Sequence, residues 1–405
     1  MATIQKRGNS YRIRVSVGYD INGKQIMQSK TWRPLPHMSD AQIKRELQKQ
    51  SVLFEQECLK GHITTAYKFE EFSRKWFKEY AEIALKERTL ANYHNLEKRI
   101  YKSVGHLRLD KITPRHIQKF ILDMNGGERH DKYKKGKLSA KTIRNHVAFI
   151  SGIFEYAIKM QVVSVNPCRM VTLPRYNPKE KDIYTIEEAQ RLLDLLAVED
   201  EKNLHFTLFF TLAMFTGFRR GELLGLEKSD FDYENHVVTV NRTSNWTNEK
   251  GIFTDSPKTS SGYRSLKLPP EVFALLERFI QQQNRQKSAL GDKWVETGRL
   301  FTRWNGEPMF PNTPSLFFGR FCKRTGVRYV NLHNFRHFHA SALIYSGVDL
   351  KTIQSCMGHS SPSTTINLYC HTFKTAQARA MEAISGMLSF KGNNDQTTST
   401  AENCV

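Results

Sequence analysis

Long apolar runs are missing from this 405-residue chain. A membrane-spanning helix needs roughly 18 consecutive apolar residues. The most apolar stretch, residues 205–218, is interrupted by Thr207, Thr211 and Thr216 and reads as a buried helix. The opening residues, Met1 to Arg7, have no apolar core of a secretory signal, so the cytoplasm is the expected location and no membrane partner is expected. Cysteine is scarce and scattered: Cys58, Cys168, Cys322, Cys356, Cys370 and Cys404 contain no Cys-x-x-Cys pair. That argues against a structural zinc or a disulfide framework and fits a reducing compartment. Acidic residues are in short supply as well, with 40 Asp+Glu against 61 Lys+Arg and a formal charge of +21. Such an excess points to a polyanionic partner, nucleic acid first, with a merely solubilising surface as the alternative. The hydrophobic fraction of 39% is adequate for buried cores in two or three domains.

The chain then divides by pattern. In residues 1–62, Tyr11, Ile13, Val15 and Val17 alternate with Arg12, Arg14 and Ser16, the period of a strand with one buried and one charged face. Asp20-Ile21-Asn22-Gly23 signals a hairpin, residues 25–32 the returning strand, and Ser39-Asp40 the cap of a helix reaching Cys58. A small three-stranded sheet backed by one helix can dock its arginine face in a DNA major groove, or can be an ordinary α+β adaptor. Residues 67–172 are almost wholly helical, with helices over 69–85, 89–101, 113–124 and 139–159. A basic loop holding Lys132, Lys134 and Lys135 precedes the last of them, which carries Lys141 and Arg144. Lysines on one side of such a domain could hold a duplex by its phosphates. Residues 173–182 form a Pro-containing linker. The remainder, 183–388, reads as mainly helical with a small antiparallel sheet: Val237 to Asn241 is one strand, residues 261–268 its partner, and Asn305-Gly306 marks a second hairpin. Thr185 and Glu188 form a capping box before its first helix, and residues 389–405 read as a disordered tail. The fold class expected is thus multidomain and mainly α, with a small N-terminal α+β module.

Several short motifs in the last domain carry chemistry. Thr216-Gly217-Phe218-Arg219-Arg220-Gly221-Glu222-Leu223 places a glycine where an apolar helix stops, and Arg219 and Glu222 three apart, so the carboxylate can orient the guanidinium. Arginine suits bidentate phosphate recognition. Lys258 lies in the polar turn Ser256 to Arg264, mobile enough to deliver a proton to a departing oxygen. His333 and Arg336 share a helical face. A zinc site from His333, His337 and His339 is disfavoured because no Glu lies between them and no acid or cysteine follows nearby. Gly358 stops a helix before His359, and Tyr369 follows ten residues on. Helix, glycine turn, helix over residues 345–368 also fits a DNA-reading helix-turn-helix.

Taken in order, Thr-Gly-x-Arg-x-x-Glu-Leu, a hairpin Lys-Thr, His-x-x-Arg, Gly-His and the tyrosine resemble the tyrosine recombinases, the phage-type integrases. The resemblance runs over about residues 183–385 and extends to the helical domain and the N-terminal module, which look like the core-site and arm-site DNA-binding domains of conjugative-transposon integrases. It implies a site-specific recombinase that integrates and excises a mobile element through a 3′-phosphotyrosyl intermediate. Tyr369 would be the nucleophile and His333 the proton acceptor. Arg219 and Arg336 would hold the phosphate, Lys258 would protonate the leaving oxygen, and His359 would donate a hydrogen bond, with Glu222 in support. No cofactor or metal is expected. The partners implied are double-stranded DNA at core and arm sites, three further copies in a homotetramer, and an excisionase or DNA-bending protein. Asn334 departs from the family, where an acid is common; it is expected to tune the site without abolishing it. The alternatives are a DNA-binding regulator without catalysis, a type IB topoisomerase, against which the separate N-terminal module argues, and a chromosome-dimer resolvase, which typically lacks such a module.

Overall fold

The computed structural model describes residues 2–19, 24–59, 67–126, 138–177, 182–257 and 259–361. By contact, the chain divides into two compact units, Met1–Pro178 and Lys179–Val405, the break falling inside the Pro-containing segment.

The first unit begins with an antiparallel sheet ordered β1-β2-β3, from β1 (Thr3–Arg7), β2 (Ser10–Tyr19) and β3 (Gln25–Trp32). Alternation decides its faces. Ile13 and Val15 are buried with Leu47, Phe54 and Cys58 of helix α1 (Asp40–Leu59). Arg12 and Arg14, one residue out of phase, therefore lie on the opposite face of the strand. They pair across β3 with Thr31 and Ser29, and the Arg12 guanidinium donates to Ser29 Oγ on the same strand at 3.2 Å.

A separate aromatic core follows, built from Phe69, Phe72, Trp76, Phe149 and Phe154 among others. It is enclosed by α2 (Phe69–Trp76), α3 (Glu82–Ala84), α4 (Glu87–Ile100), α5 (Pro114–Gly126) and α6 (Ala140–Lys159). The long helix expected at 69–85 is interrupted by a π-helical turn at Phe77–Ala81, while the one expected at 89–101 forms as α4 and runs on into a second π-helical turn at Tyr101–Gly105. Gly105 permits the second of these, because a Cβ there would sit 3.1 Å from that of Tyr101 and 3.2 Å from the Glu70 carboxylate. Ser139 caps α6 as its sequence position suggests, its hydroxyl accepting from the Thr142 amide at 3.1 Å.

In the second unit α7 (Ile186–Ala197) opens with the Thr185–Glu188 capping box, both bonds formed. The apolar stretch becomes α8 (Leu204–Thr216), buried around nearly its whole circumference. Leu208, Phe210 and Leu212 are fully enclosed, and α8 packs against α10 (Pro270–Leu290), α11 (Thr313–Thr325) and α12 (Leu332–Tyr345). At about 1.5–3 kcal/mol for each fully buried large apolar side chain, α8 is the main anchor of this core. The short α9 (Arg220–Leu223) and α13 (Leu350–Met357) complete the described helices.

The sheet is richer than its sequence suggests. Strand β5 (Val237–Val240) pairs with β8 (Arg264–Lys267), Val237 opposite Lys267, and with the short β4 (Phe231–Asp232). Between β5 and β8 the chain makes a further hairpin, β6 (Thr243–Thr247) with β7 (Gly251–Asp255). No apolar alternation announces it: Thr-Ser-Asn-Trp-Thr is polar, and Trp246 packs edge-on against Phe310. The hairpin expected at Asn305-Gly306 is only a turn, with one bridge between Thr302 and Pro308, and Gly306 supplies the left-handed φ of +87° that the turn requires.

Candidate active site

The second unit brings three segments together. The first is the stop of α8. Gly217 adopts a φ of +60°, ends the helix, and turns the chain into α9. Arg219 lies at that start, where Glu222 reaches back to its amide at 2.8 Å and holds its Nη1 at 2.7 Å. The Arg219 side chain keeps 42% of its surface exposed, while Glu222 keeps almost none. One guanidinium nitrogen is thus held by Glu222 while much of the side chain's surface stays exposed.

The second segment is α12. Asn331 caps it, its Oδ1 accepting from the His333 amide at 2.8 Å. Arg336, 2% exposed, donates from Nη1 to the Gly217 carbonyl at 2.9 Å and from Nη2 to that of Met357. It therefore ties the α8 stop to the end of α13. His333 is exposed, its ring edge-on to His337 at 4.7 Å. It lines a cleft of about 390 Å³ together with Arg219, Arg220 and Asn331.

The third is the stop of α13, where Gly358 takes a φ of +58° and presents its carbonyl to Arg219 Nη2 at 3.4 Å. His359 follows, buried to 8% exposure, its amide and carbonyl both bonded to Gln354. Burial, reinforced by Arg336, Arg219, Arg264 and His333, pushes its imidazole down to about 4. At neutral pH it is uncharged and carries one N–H, so it can donate a hydrogen bond without adding a cation.

Glu222 is the counter-ion of the cluster. Its burial alone would raise its pKa, but Arg264 and Arg219 outweigh that and hold it below the ordinary carboxylate range. Arg264, from the start of β8, donates Nη2 to Glu222 Oε2 at 2.7 Å. Its part in the site has no local signature in the sequence, because its partners lie 42 and 92 residues away. Asn334 points elsewhere: its Nδ2 donates to the Asp182 carbonyl at 2.6 Å, a bond that an acid at this position could not make when ionised. His339 is also turned away from His333. Its Nδ1 lies 3.2 Å from the Met214 carbonyl and its ring packs where a side chain on Gly217 would stand.

Arg219, Glu222, His333, Arg336 and His359 are therefore gathered by two glycine-stopped helices and α12. Lys258, Tyr369, Lys132, Lys134 and Lys135 lie outside the described residues. Of the other basic residues singled out in the sequence, Lys141 is exposed on α6, whereas Arg144 donates from Nε to the Pro174 carbonyl at 3.0 Å and so also holds the chain leaving the helical core. Among the described residues no helix is long and apolar enough to cross a membrane.

The chain is similar to known proteins in sequence and in fold. The sequence profile of the Phage integrase family matches residues 183–376, and that of the phage integrase N-terminal SAM-like domain matches residues 68–125. A tyrosine recombinase XerC-like protein of Caldanaerobacter subterraneus subsp. tengcongensis is 26% identical over 400 residues, 93% of this chain and 96% of its own. The ICEBs1 integrase of Bacillus subtilis is 29% identical over 286 residues, 69% of this chain and 72% of its own. In fold, the chain is similar to the Tn1549 transposon integrase solved in complex with a circular intermediate DNA, with a TM-score of 0.64 and 23% identity over 78% of this chain and 99% of that one. The chain belongs to the phage integrase family and is a tyrosine site-specific recombinase, an enzyme that cuts and rejoins DNA.

Proposed function

We propose that Tyr369 is the nucleophile and that the gathered residues form the seat of the scissile phosphate. The Tyr369 hydroxyl attacks phosphorus, its proton passing to His333, and a 3′-phosphotyrosyl bond forms. The bond from phosphorus to the 5′-oxygen breaks, and that oxygen takes a proton from Lys258. Arg219 and Arg336 carry the charge that grows on the non-bridging oxygens, and His359 adds a hydrogen bond. A free tyrosine ionises near pH 10, so the attack depends on these cations and on the acceptor. Because the phosphotyrosine conserves the bond, a 5′-hydroxyl from another duplex reverses the step and reseals the strand.

The observation that carries this reading is the convergence of Arg219, Arg336 and His359 on the Gly217 and Gly358 turns, with one face of Arg219 left open beside His333. We further assign residues 67–172 to core-site DNA and the arginine face of β2 in residues 1–62 to arm-site DNA. On DNA the assembly is a homotetramer in the cytoplasm, its direction set by an excisionase or a DNA-bending protein, and the outcome is integration and excision of a mobile element. The test is a duplex carrying candidate element ends and nicked just beyond the cleavage point, incubated in EDTA without nucleotide. A denaturant-resistant adduct that disappears in Tyr369→Phe, with DNA binding retained, is the result expected. An adduct that persists in Tyr369→Phe removes the nucleophile assignment.

A further inference from the structure

Arg264 takes no part in the chemistry just described, yet it is a buried cation with a partner on every nitrogen. Its Nε donates to the Cys356 carbonyl at 2.8 Å, its Nη1 to the Gly262 carbonyl at 3.1 Å, and its Nη2 to Glu222 Oε2 at 2.7 Å. Its guanidinium lies 4.7 Å from the centre of the Phe218 ring. These partners come from three segments far apart in the chain: the turn of residues 256–263, the α8 stop with α9, and the α13 stop. Each of the three carries one residue of the proposed phosphate seat, Lys258, Arg219 or His359.

The packing leaves no slack around this fork. A side-chain carbon on Gly358 would stand 2.7 Å from the Ser261 carbonyl and 2.9 Å from Arg264 Nη1, and one on Gly262 would stand 2.5 Å from Pro257. The two glycines therefore admit the close approach that lets one guanidinium bridge all three segments.

We propose that Arg264 is a positioning residue for strand transfer: its three-way fork seats the 256–263 turn on Glu222 and on the α13 stop, and thereby sets how Arg219 faces the phosphate. The inference rests on the strand-transfer reading above. Glu222 divides its oxygens between two arginines, Oε1 going to Arg219 Nη1 and Oε2 to the Arg219 amide and Arg264 Nη2. Without Arg264 a buried carboxylate keeps one cation only, and it draws the Arg219 guanidinium toward itself and away from the ligand. Lysine cannot substitute, because an ammonium is a point charge without the planar fork that reaches three acceptors.

The test compares Arg264→Lys and Arg264→Gln in the full chain, measuring DNA binding and single-turnover adduct formation on the nicked duplex. Two substrates are used, one with the natural 5′-oxygen and one with sulfur at that bridging position. Sulfur departs without a proton, so it restores cleavage when only the proton donor is displaced. The result expected is unchanged DNA binding and a loss of adduct rate of about 100-fold, the scale of a misplacement near 1 Å, in both variants. Sulfur does not restore it, and adding Glu222→Gln to Arg264→Gln slows the reaction no further, since the uncompensated charge is gone. A wild-type rate in Arg264→Lys, full rescue by sulfur, or independent, multiplying losses in the double variant would each overturn the proposal. Where Arg264→Gln also loses DNA binding, Arg264→Lys decides. Absence of adduct in the wild-type protein is a different outcome, one that removes the strand-transfer reading itself.

Discussion

Three histidines of the second unit are held neutral by their surroundings. Burial is the first cause in each, and it pushes His205, His339 and His359 down to about 4. In the unfolded chain a histidine titrates near 6.5. Between those values the unfolded state binds the extra protons, so stability is present in full above about pH 6.5 and is lost as pH falls toward 4, by about 1.4 kcal/mol per pH unit for each histidine. Urea unfolding across that window should show this slope, and His205→Gln, remote from the proposed chemistry, should make it shallower by one proton; an unchanged slope contradicts the burial argument. At this scale the sequence was partly legible. Arg219 and Glu222 are three apart on one helical turn, and their ion pair could be read from spacing. Arg264 could not, because its partners are brought to it only by the fold. The same holds for Asn334, whose bond to the Asp182 carbonyl spans 152 residues.

Helix ends were the most legible elements, since their signals are local. Gly217 and Gly358 stop α8 and α13 where the pattern ends, and Thr185, Ser139 and Asp349 cap the helices that follow them. Such caps contribute about 1 kcal/mol each, so Ser139→Ala should speed hydrogen exchange at the first turn of α6, the Thr142 amide above all, without speeding it elsewhere. The α13 stop is more demanding. Gly358→Ala adds a carbon 2.7 Å from a backbone carbonyl and at a φ of +58°, so it should lower adduct formation more than it lowers DNA binding. Equal losses in the two would place Gly358 outside the phosphate seat. The β6–β7 hairpin and the two π-helical turns were not legible. The first mixes Trp246, Ile252 and Phe253 with polar residues in no regular alternation, and the second lengthens each hydrogen-bonded loop of the helix by one residue, which apolar spacing does not resolve.

On the scale of the whole molecule, the charge of +21 and the sorting of basic residues to surfaces fit an enzyme whose substrate is a polyanion. The division of labour between modules is a prediction of its own. Replacing Arg12 and Arg14 by alanine removes cations from the sheet face opposite the small core, so binding to distal arm sites should weaken and core-site cleavage should persist; equal loss at both would overturn the division. The multidomain, mainly helical plan was legible because residues 67–172 keep a helical periodicity throughout, set off by strand alternation and a hairpin signal before them and a Pro-containing segment after them. The central claim is chemical, and one measurement meets it directly. The covalent adduct trapped on the nicked duplex is digested with nuclease and protease, and the modified peptide is located by mass spectrometry. The account predicts a nucleotide remnant joined through its 3′-phosphate to Tyr369. A remnant on any other residue, or joined through a 5′-phosphate, would contradict it.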